Sequence, residues 1–265
     1  MDPRRLSELT PFLREHGLIP KKSLSQNFLI DANIVKKIVK TANLHPEDAV
    51  LEIGPGPGGL TKTLLEAGAK VVAIELDGRY ASLLPQTLQH NNLTVIHMDF
   101  LKFIPSSPMT VIANIPYHIT SPIIARLAEY SHLFPKIFLT VQKDMAERIL
   151  AKKGSKQNNA FAIFVDFFFT PTIVFTIGKD CFYPKPKVNS ALLSLIPKKE
   201  HLLSNPKPFF AFVRLLFQQK RKMIRSTLKN PNLTDLRPEM LGLEDFIHLF
   251  SFLKKENKLP PLPEE

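Results

Sequence analysis

Residues 50–61, V-L-E-I-G-P-G-P-G-G-L-T, decide the fold. Val50, Leu51 and Ile53 read as a buried strand, the glycines as a turn, and Leu60 as the opening of a helix. Gly54, Gly56 and Gly58 carry no Cβ, so the backbone can take positive φ and a ligand can approach the peptide groups closely. The next strand, K-V-V-A-I-E at 70–75, ends in a carboxylate, Glu75, where sheets of this kind place the acid that grips ribose hydroxyls. Gly54, Gly56 and Gly59 also fit G-x-G-x-x-G, the dinucleotide spacing. This stretch therefore points to an adenosine cofactor without saying which.

Outward from this turn, strands and helices alternate. Strands are expected at 49–53, 70–75, 93–97, 109–113 and 137–142, with helices at 60–67, from Asp77, at 122–129 and at 143–151. The alternation predicts an α/β fold, a doubly wound and largely parallel sheet whose ligands bind at the carboxyl ends of the strands. Glu52, Gly54, Glu75, Asp99 and Asn114 all fall at or beside such ends. Upstream, Thr10 is expected to cap a short helix with Pro11 at its first position and Gly17 just past its end. Residues 20–29 read as a loop, and Asp31 as the cap of a helix reaching about Thr41, with Ile34, Val35, Ile38 and Val39 as its apolar stripe.

Beyond Phe175 the pattern changes. C-F-Y-P-K-P-K-V (181–188) is a proline-stiffened loop, 190–196 a further strand and 197–208 a linker. Helices are expected at 209–228 and 244–254, followed by a loose tail. The domain division predicted is thus 1–197 for the sheet and 198–265 for a small, basic, all-helical domain.

Composition narrows the class. The chain has 265 residues, 44% of them hydrophobic, ample for a core, and a net charge of +11. Nine Lys or Arg between Pro197 and Lys229 face a single acid, Glu200, a footprint for phosphate backbone that centres on Lys220, Arg221, Lys222 and Arg225. A single cysteine, Cys181, excludes an intramolecular disulfide framework and a thiolate metal cluster, and no metal site is expected. The opening M-D-P-R-R-L-S-E has neither the apolar core of a secretion signal nor the acid-poor character of a transit peptide, so the expected location is cytoplasmic. Residues 160–177 are the most apolar region, but Asp166 and Thr170-Pro171 break them into core-sized pieces, so no membrane association is expected.

Asn114-Ile115-Pro116-Tyr117 selects the chemistry. An amide, a carbonyl turned outward by the following proline and an aromatic ring form a receptor for a flat aromatic amine. The exocyclic amine of adenine is a poor nucleophile because its lone pair is delocalised into the ring. The Asn114 side-chain oxygen and the Ile115 carbonyl can accept from that amine and favour the geometry in which the lone pair meets an electrophilic methyl, while Tyr117 stacks on the base. A hydride-transfer enzyme has no use for such a receptor, so methyl transfer from S-adenosylmethionine takes precedence over dinucleotide chemistry.

The motifs K-S-L-S-Q-N-F-L (22–29), L-E-I-G-P-G-P-G-G-L-T (51–61), A-I-E-L-D (73–77), M-D-F-L (98–101), N-I-P-Y-H-I-T-S-P-I (114–123), V-Q-K-D-M-A-E-R-I (141–149), C-F-Y-P-K-P-K-V-N-S-A (181–191) and F-Q-Q-K-R-K-M-I-R-S-T-L (217–228) occur in the order seen in one family. The chain resembles the ribosomal RNA adenine dimethyltransferases, in their bacterial kasugamycin-sensitivity branch. The resemblance implies a Rossmann-like class I methyltransferase sheet with a small C-terminal all-helical domain. It further implies two methyl groups added to each of two adjacent adenines in a hairpin loop near the 3′ end of small-subunit (16S) ribosomal RNA. The partner is then the small ribosomal subunit, met by a monomer, with the basic helix gripping RNA backbone.

By the same resemblance Asn27 and Leu29 line the S-adenosylmethionine pocket and Gly54 lies against the cofactor's methionine part, with Gly56 also expected to bind the cofactor. Glu75 then holds its ribose, Asp99 its adenine amine, and Asn114 lies between cofactor and target. Phe182 is the second aromatic face of the target pocket, opposite Tyr117. Some positions depart from the family: Ser25 and Met98 stand where glycine is usual, Asn189 where aspartate is common, and G-S-K-Q-N-N-A-F (154–161) lacks the usual Tyr-Gly. The nearest alternatives are the large-subunit RNA adenine methyltransferases of the antibiotic-resistance type, which share N-I-P-Y, and a non-catalytic nucleic-acid-binding relative.

Overall fold

A computed structural model describes residues 1–20, 26–200 and 202–262. Ser25, one of the family departures, and the last three residues of the tail lie outside the described residues. The chain divides into two compact units, one built from Met1–Ala146 with Thr172–Pro197 and the other from Glu147–Pro171 with Lys198–Glu265. Residues 147–171, which the sequence predicts to belong with the sheet, group instead with the C-terminal helices.

In the first unit, α1 (Leu6–Glu15) precedes β1 (Phe28–Leu29) and α2 (Ala32–Ala42). Then come β2 (Ala49–Ile53), α3 (Gly59–Glu66), β3 (Lys70–Glu75), α4 (Gly78–Leu88), β4 (Leu93–His97), β5 (Thr110–Asn114), α5 (Thr120–Glu129) and β6 (Ile137–Gln142). Helix α6 (Lys143–Ile149) leads into the second unit, where α7 (Ala160–Phe168) lies, β7 (Phe169–Ile177) leads back, and β8 (Phe182–Tyr183) and β9 (Ser190–Pro197) follow in the first unit. The seven-stranded sheet has the order β4-β3-β2-β5-β6-β9-β7. Strands β2 to β6 run parallel and β9 lies antiparallel to β6. The order reverses between β2 and β5, where a crevice must open at the strand ends because the connections leave in opposite directions.

Local chemistry accounts for most boundaries. Asp31 caps α2 by accepting from the amides of Asn33 and Ile34, and Asp77 caps α4 through Arg79. Gly68, at φ 82, ends the turn after α3. Buried Val50, Val71, Ala73 and Ile112 meet Val35, Ile38, Val39, Leu60 and Leu64 in one core.

Two helices differ from the sequence prediction. Helix α1 begins at Leu6 and carries Pro11 inside it, so Thr10 is not its cap. The burial of Leu9, Phe12 and Leu13 outweighs the one hydrogen bond that Pro11 cannot donate. The single helix expected over 209–228 is two, α8 (Lys207–Gln218) and α9 (Ile224–Thr227). Between them the chain is drawn out of helical geometry: Lys220 Nζ donates to the carbonyls of Lys156 and Asn158, and the Ile224 amide donates to Leu236 O.

The second unit is a phenylalanine-rich core. Phe167, Phe209, Phe212, Phe246 and Phe250 are fully or almost fully buried, and α8 packs with α7 and with α10 (Leu243–Lys255). The atypical 154–161 segment is built into this unit: buried Asn158 donates to Glu239 O and Leu241 O, and Asn159 caps α7. The apolar 160–177 region is the α7–β7 pair, and no described helix is long and apolar enough to cross a membrane.

Candidate active site

The crevice at the β2–β5 switch is a real cleft, enclosing about 840 Å³ including its open mouth. Nine of the sequence-predicted residues line it: Asn27, Gly54, Gly56, Glu75, Asp99, Asn114, Ile115, Pro116 and Tyr117. They come from four strand ends and one loop, so the parallel sheet is what brings residues 87 apart in sequence, such as Asn27 and Asn114, into contact.

The glycine turn is held from below by an acid. Glu75, 6% exposed, accepts from the Gly56 amide at 3.0 Å through Oε2 and from the Asp77 amide at 2.8 Å through Oε1. Burial raises its carboxyl pKa, against the effect of these amides. Gly56, at φ +54, packs so tightly that an added Cβ would lie 2.8 Å from the Phe28 ring. Glu75 rather than Glu52 takes this amide of the turn. Glu52 lies deeper, 1% exposed, with no hydrogen-bond partner at Oε2. Desolvation, reinforced by the Glu75 charge, pushes its pKa up to about 8, with Thr61 working the other way.

Asn114 ends β5. Its Nδ2 donates to Asn27 O at 2.7 Å, which fixes the amide's orientation, because the opposite one would set two oxygens against each other. Oδ1 is then a buried acceptor without a partner. Such a group is costly unless something donates to it, and functional sites are where this cost is tolerated. Tyr117, two residues past Ile115, starts a single 3-10 turn, and its hydroxyl lies 2.7 Å from Ser190 Oγ. Burial raises the phenol's pKa, so it stays protonated at neutral pH. Asp99 accepts from the Leu101 amide at 2.9 Å, capping the turn that carries Phe100.

Other predicted residues fall elsewhere. Leu29 borders a smaller cavity behind the turn, with Glu52, Gly54 and Asn114. Phe182 is 2% exposed, paired with Leu29 across the β1–β8 ladder and packed in the main core, so its ring offers no face to the cleft. Phe182 is thus not among the residues that line the cleft with Tyr117. Of the basic residues, Lys220 is tied to two carbonyls and to Glu239, and Arg225 to Asp235, whereas Arg221 and Lys222 are exposed. Phe28 and Ser190 are functional neighbours that sequence reasoning did not single out. Phe28 stands beside Asn27 in a stretch without periodicity, and Ser190 is an ordinary strand residue in sequence.

A glycine turn bonded to a strand-end acid, with an unpaired amide oxygen beside it at the switch point, fits S-adenosylmethionine, and together with the sheet it defines the class: an S-adenosylmethionine-dependent methyltransferase. The family model described as "Ribosomal RNA adenine dimethylase" matches residues 19–241, and the chain belongs to that family. It is 40% identical over 269 residues to "Ribosomal RNA small subunit methyltransferase A" of Protochlamydia amoebophila (strain UWE25), covering 92% of this chain and 95% of the relative. It is 35% identical to the protein of the same name from Enterococcus faecalis (strain ATCC 700802 / V583), covering 96% of each. Among solved structures, a dimethyladenosine transferase from Plasmodium falciparum superposes with a TM-score of 0.75 at 30% identity, covering 85% of this chain and 96% of that one. The 23S rRNA methyltransferase ErmE superposes with a TM-score of 0.69 at 28% identity, covering 86% and 99%.

Proposed function

We propose that this protein dimethylates the exocyclic amines of two adjacent adenines in a hairpin loop near the 3′ end of small-subunit ribosomal RNA. The observation that carries this reading is the unpaired Asn114 Oδ1, an acceptor fixed in orientation at the floor of an adenosine-cofactor cleft. S-adenosylmethionine, when bound, supplies an electrophilic methyl group. Glu75 and Gly56 would hold the ribose side of the cofactor, and Asp99 its adenine. The target amine donates to Asn114 Oδ1 and to the Ile115 carbonyl, which turns its lone pair toward the methyl. Tyr117 stacks on the extruded base, replacing the neighbours it leaves. The amine, on gaining the methyl, would release its proton to solvent.

The exposed Arg221 and Lys222 and their basic neighbours support binding of RNA backbone by charge and shape. Action as a monomer is part of this reading, checked by light scattering. A ribosomal substrate implies work in the cytoplasm. The likeness to ErmE favours one second reading, transfer to large-subunit RNA.

The experiment is transfer of radiolabelled methyl to under-methylated small subunits, large-subunit RNA and protein-free RNA in parallel, with the product nucleoside identified. Dimethyladenosine in small subunits is the expected result. Label in large-subunit RNA alone would establish the second reading, and no label anywhere with cofactor bound would leave a binding protein.

A further inference from the structure

The described residues before the glycine turn form a clasp. Arg4 is 7% exposed, and its guanidinium is saturated: Nε and Nη2 reach the two oxygens of Asp2 at 2.8 and 2.9 Å, while Nη1 and Nη2 reach the two oxygens of Glu66 at 2.5 and 3.0 Å. Nη1 also donates to Thr63 Oγ1 at 3.0 Å. A buried cation needs such partners, because removing one side leaves a charge out of water. Arg4 holds the Asp2 carboxyl at a pKa of about 2, so both ions persist at neutral pH. Thr63 and Glu66 belong to α3, whose first residue, Gly59, lies under Pro3 O and Arg4 Cγ, each 3.7 Å from where a Cβ would stand. Arg4 thus fastens the start of α1 to the helix that leaves the cofactor turn.

Helix α1 in turn sends Leu9, Phe12 and Leu13 into a separate cluster with Phe28 and Tyr80, whose rings meet edge to face at 5.6 Å. Phe28 lines the cleft and presses on Gly56, whose amide donates to Glu75. We propose that Arg4 is a positioning residue for the cofactor site: by clasping α1 to α3 it holds Phe28 against the glycine turn and so keeps the wall of the cleft in its binding shape. This inference rests on the cofactor reading of the cleft.

The test is calorimetric titration of the full-length protein with S-adenosylhomocysteine, using wild type, Arg4→Ala, Arg4→Lys and Glu66→Gln, each well below its melting temperature. A wall that is competent only about one-tenth of the time raises the apparent Kd about tenfold, the effect expected for Arg4→Ala. Arg4→Lys, which keeps the charge and loses the two-pronged geometry, falls between it and wild type. Affinity for small-subunit RNA stays the same. Arg4→Ala that melts earlier yet binds S-adenosylhomocysteine as tightly as wild type would overturn the proposal and leave Arg4 as a fastener of the fold. Should Arg4→Ala not fold, unchanged Kd values for Arg4→Lys and Glu66→Gln would overturn it equally. Wild type that does not bind at all would remove the cofactor reading, a distinct result that takes this inference with it.

Discussion

The phenol of Tyr117 and the hydroxyl of Ser190 meet at 2.7 Å, joining the loop after β5 to the first residue of β9. Ser190 is fully buried, so the ring proposed to stack on the target is anchored in the sheet rather than left to rotate. Removing one such bond costs about 1 kcal/mol, roughly fivefold in rate. Tyr117→Phe and Ser190→Ala should each slow methyl transfer by about that factor with cofactor affinity unchanged. Because they break the same bond, the double variant should be little slower than either alone. Single-turnover kinetics of the four proteins would measure this, and full additivity would mean that the bond does not orient the ring.

Asn114→Ala should lower turnover by a factor on the order of a hundred or more, the usual loss when a fixed partner of the reacting group is removed. The same change frees the Asn27 carbonyl, so cofactor affinity should fall by a smaller factor, about threefold to tenfold, as one hydrogen bond allows. Comparing kcat with the Kd for S-adenosylhomocysteine separates the two effects. A loss confined to cofactor binding would rule out contact between Asn114 and the target amine.

The basic turn after α8 divides by role. Arg221→Ala with Lys222→Ala should weaken RNA binding and flatten its dependence on salt, by roughly one unit of slope per lost phosphate contact. Lys220 is engaged with Lys156, Asn158 and Glu239, so Lys220→Ala should lower the melting temperature more than it changes the salt slope. Filter binding across a salt series, beside thermal melting, distinguishes them.

Glu52 sets a pH dependence of stability. Its folded pKa of about 8 exceeds the ordinary 4.5, so between these values the native state holds a proton that the unfolded chain does not. Its contribution is complete below about pH 4.5 and is lost as pH rises through about 8. Glu75, shifted the same way, adds to the slope. Glu52→Gln keeps the shape without the titration, so its melting temperature should fall less than that of wild type between pH 5 and 8, by calorimetry. Parallel curves would show that Glu52 is ionised in the fold.

The fold was largely legible because its signals are local. The Gly54–Gly56–Gly58 turn, the Asp31 and Asp77 caps and the apolar strands each act within a few residues, and the cleft residues Gly54, Glu75, Asp99 and Asn114 followed from strand ends. What was not legible depends on partners distant in sequence. Pro11 sits inside a helix because Leu9, Phe12 and Leu13 are buried against Phe28 and Tyr80. Phe182 is buried in the main core where β8 pairs with β1, and the 209–228 helix breaks because Ile224 bonds Leu236. Ser190 gains meaning only from Tyr117, which lies 73 positions away.

The chain passes into the second unit at residue 147, leaves it after 171 and returns at 198. Scissors applied at that last crossing would therefore not release an autonomous module. Phe209 and Phe210 pack on Phe167, and Phe210 also on Phe164, so a fragment beginning at 198 would lose the helix that completes its core. Apolar rings would be left facing water, and the fragment would cluster with its own copies instead of gripping RNA. Transplanting the basic surface to another enzyme would require grafting both stretches together.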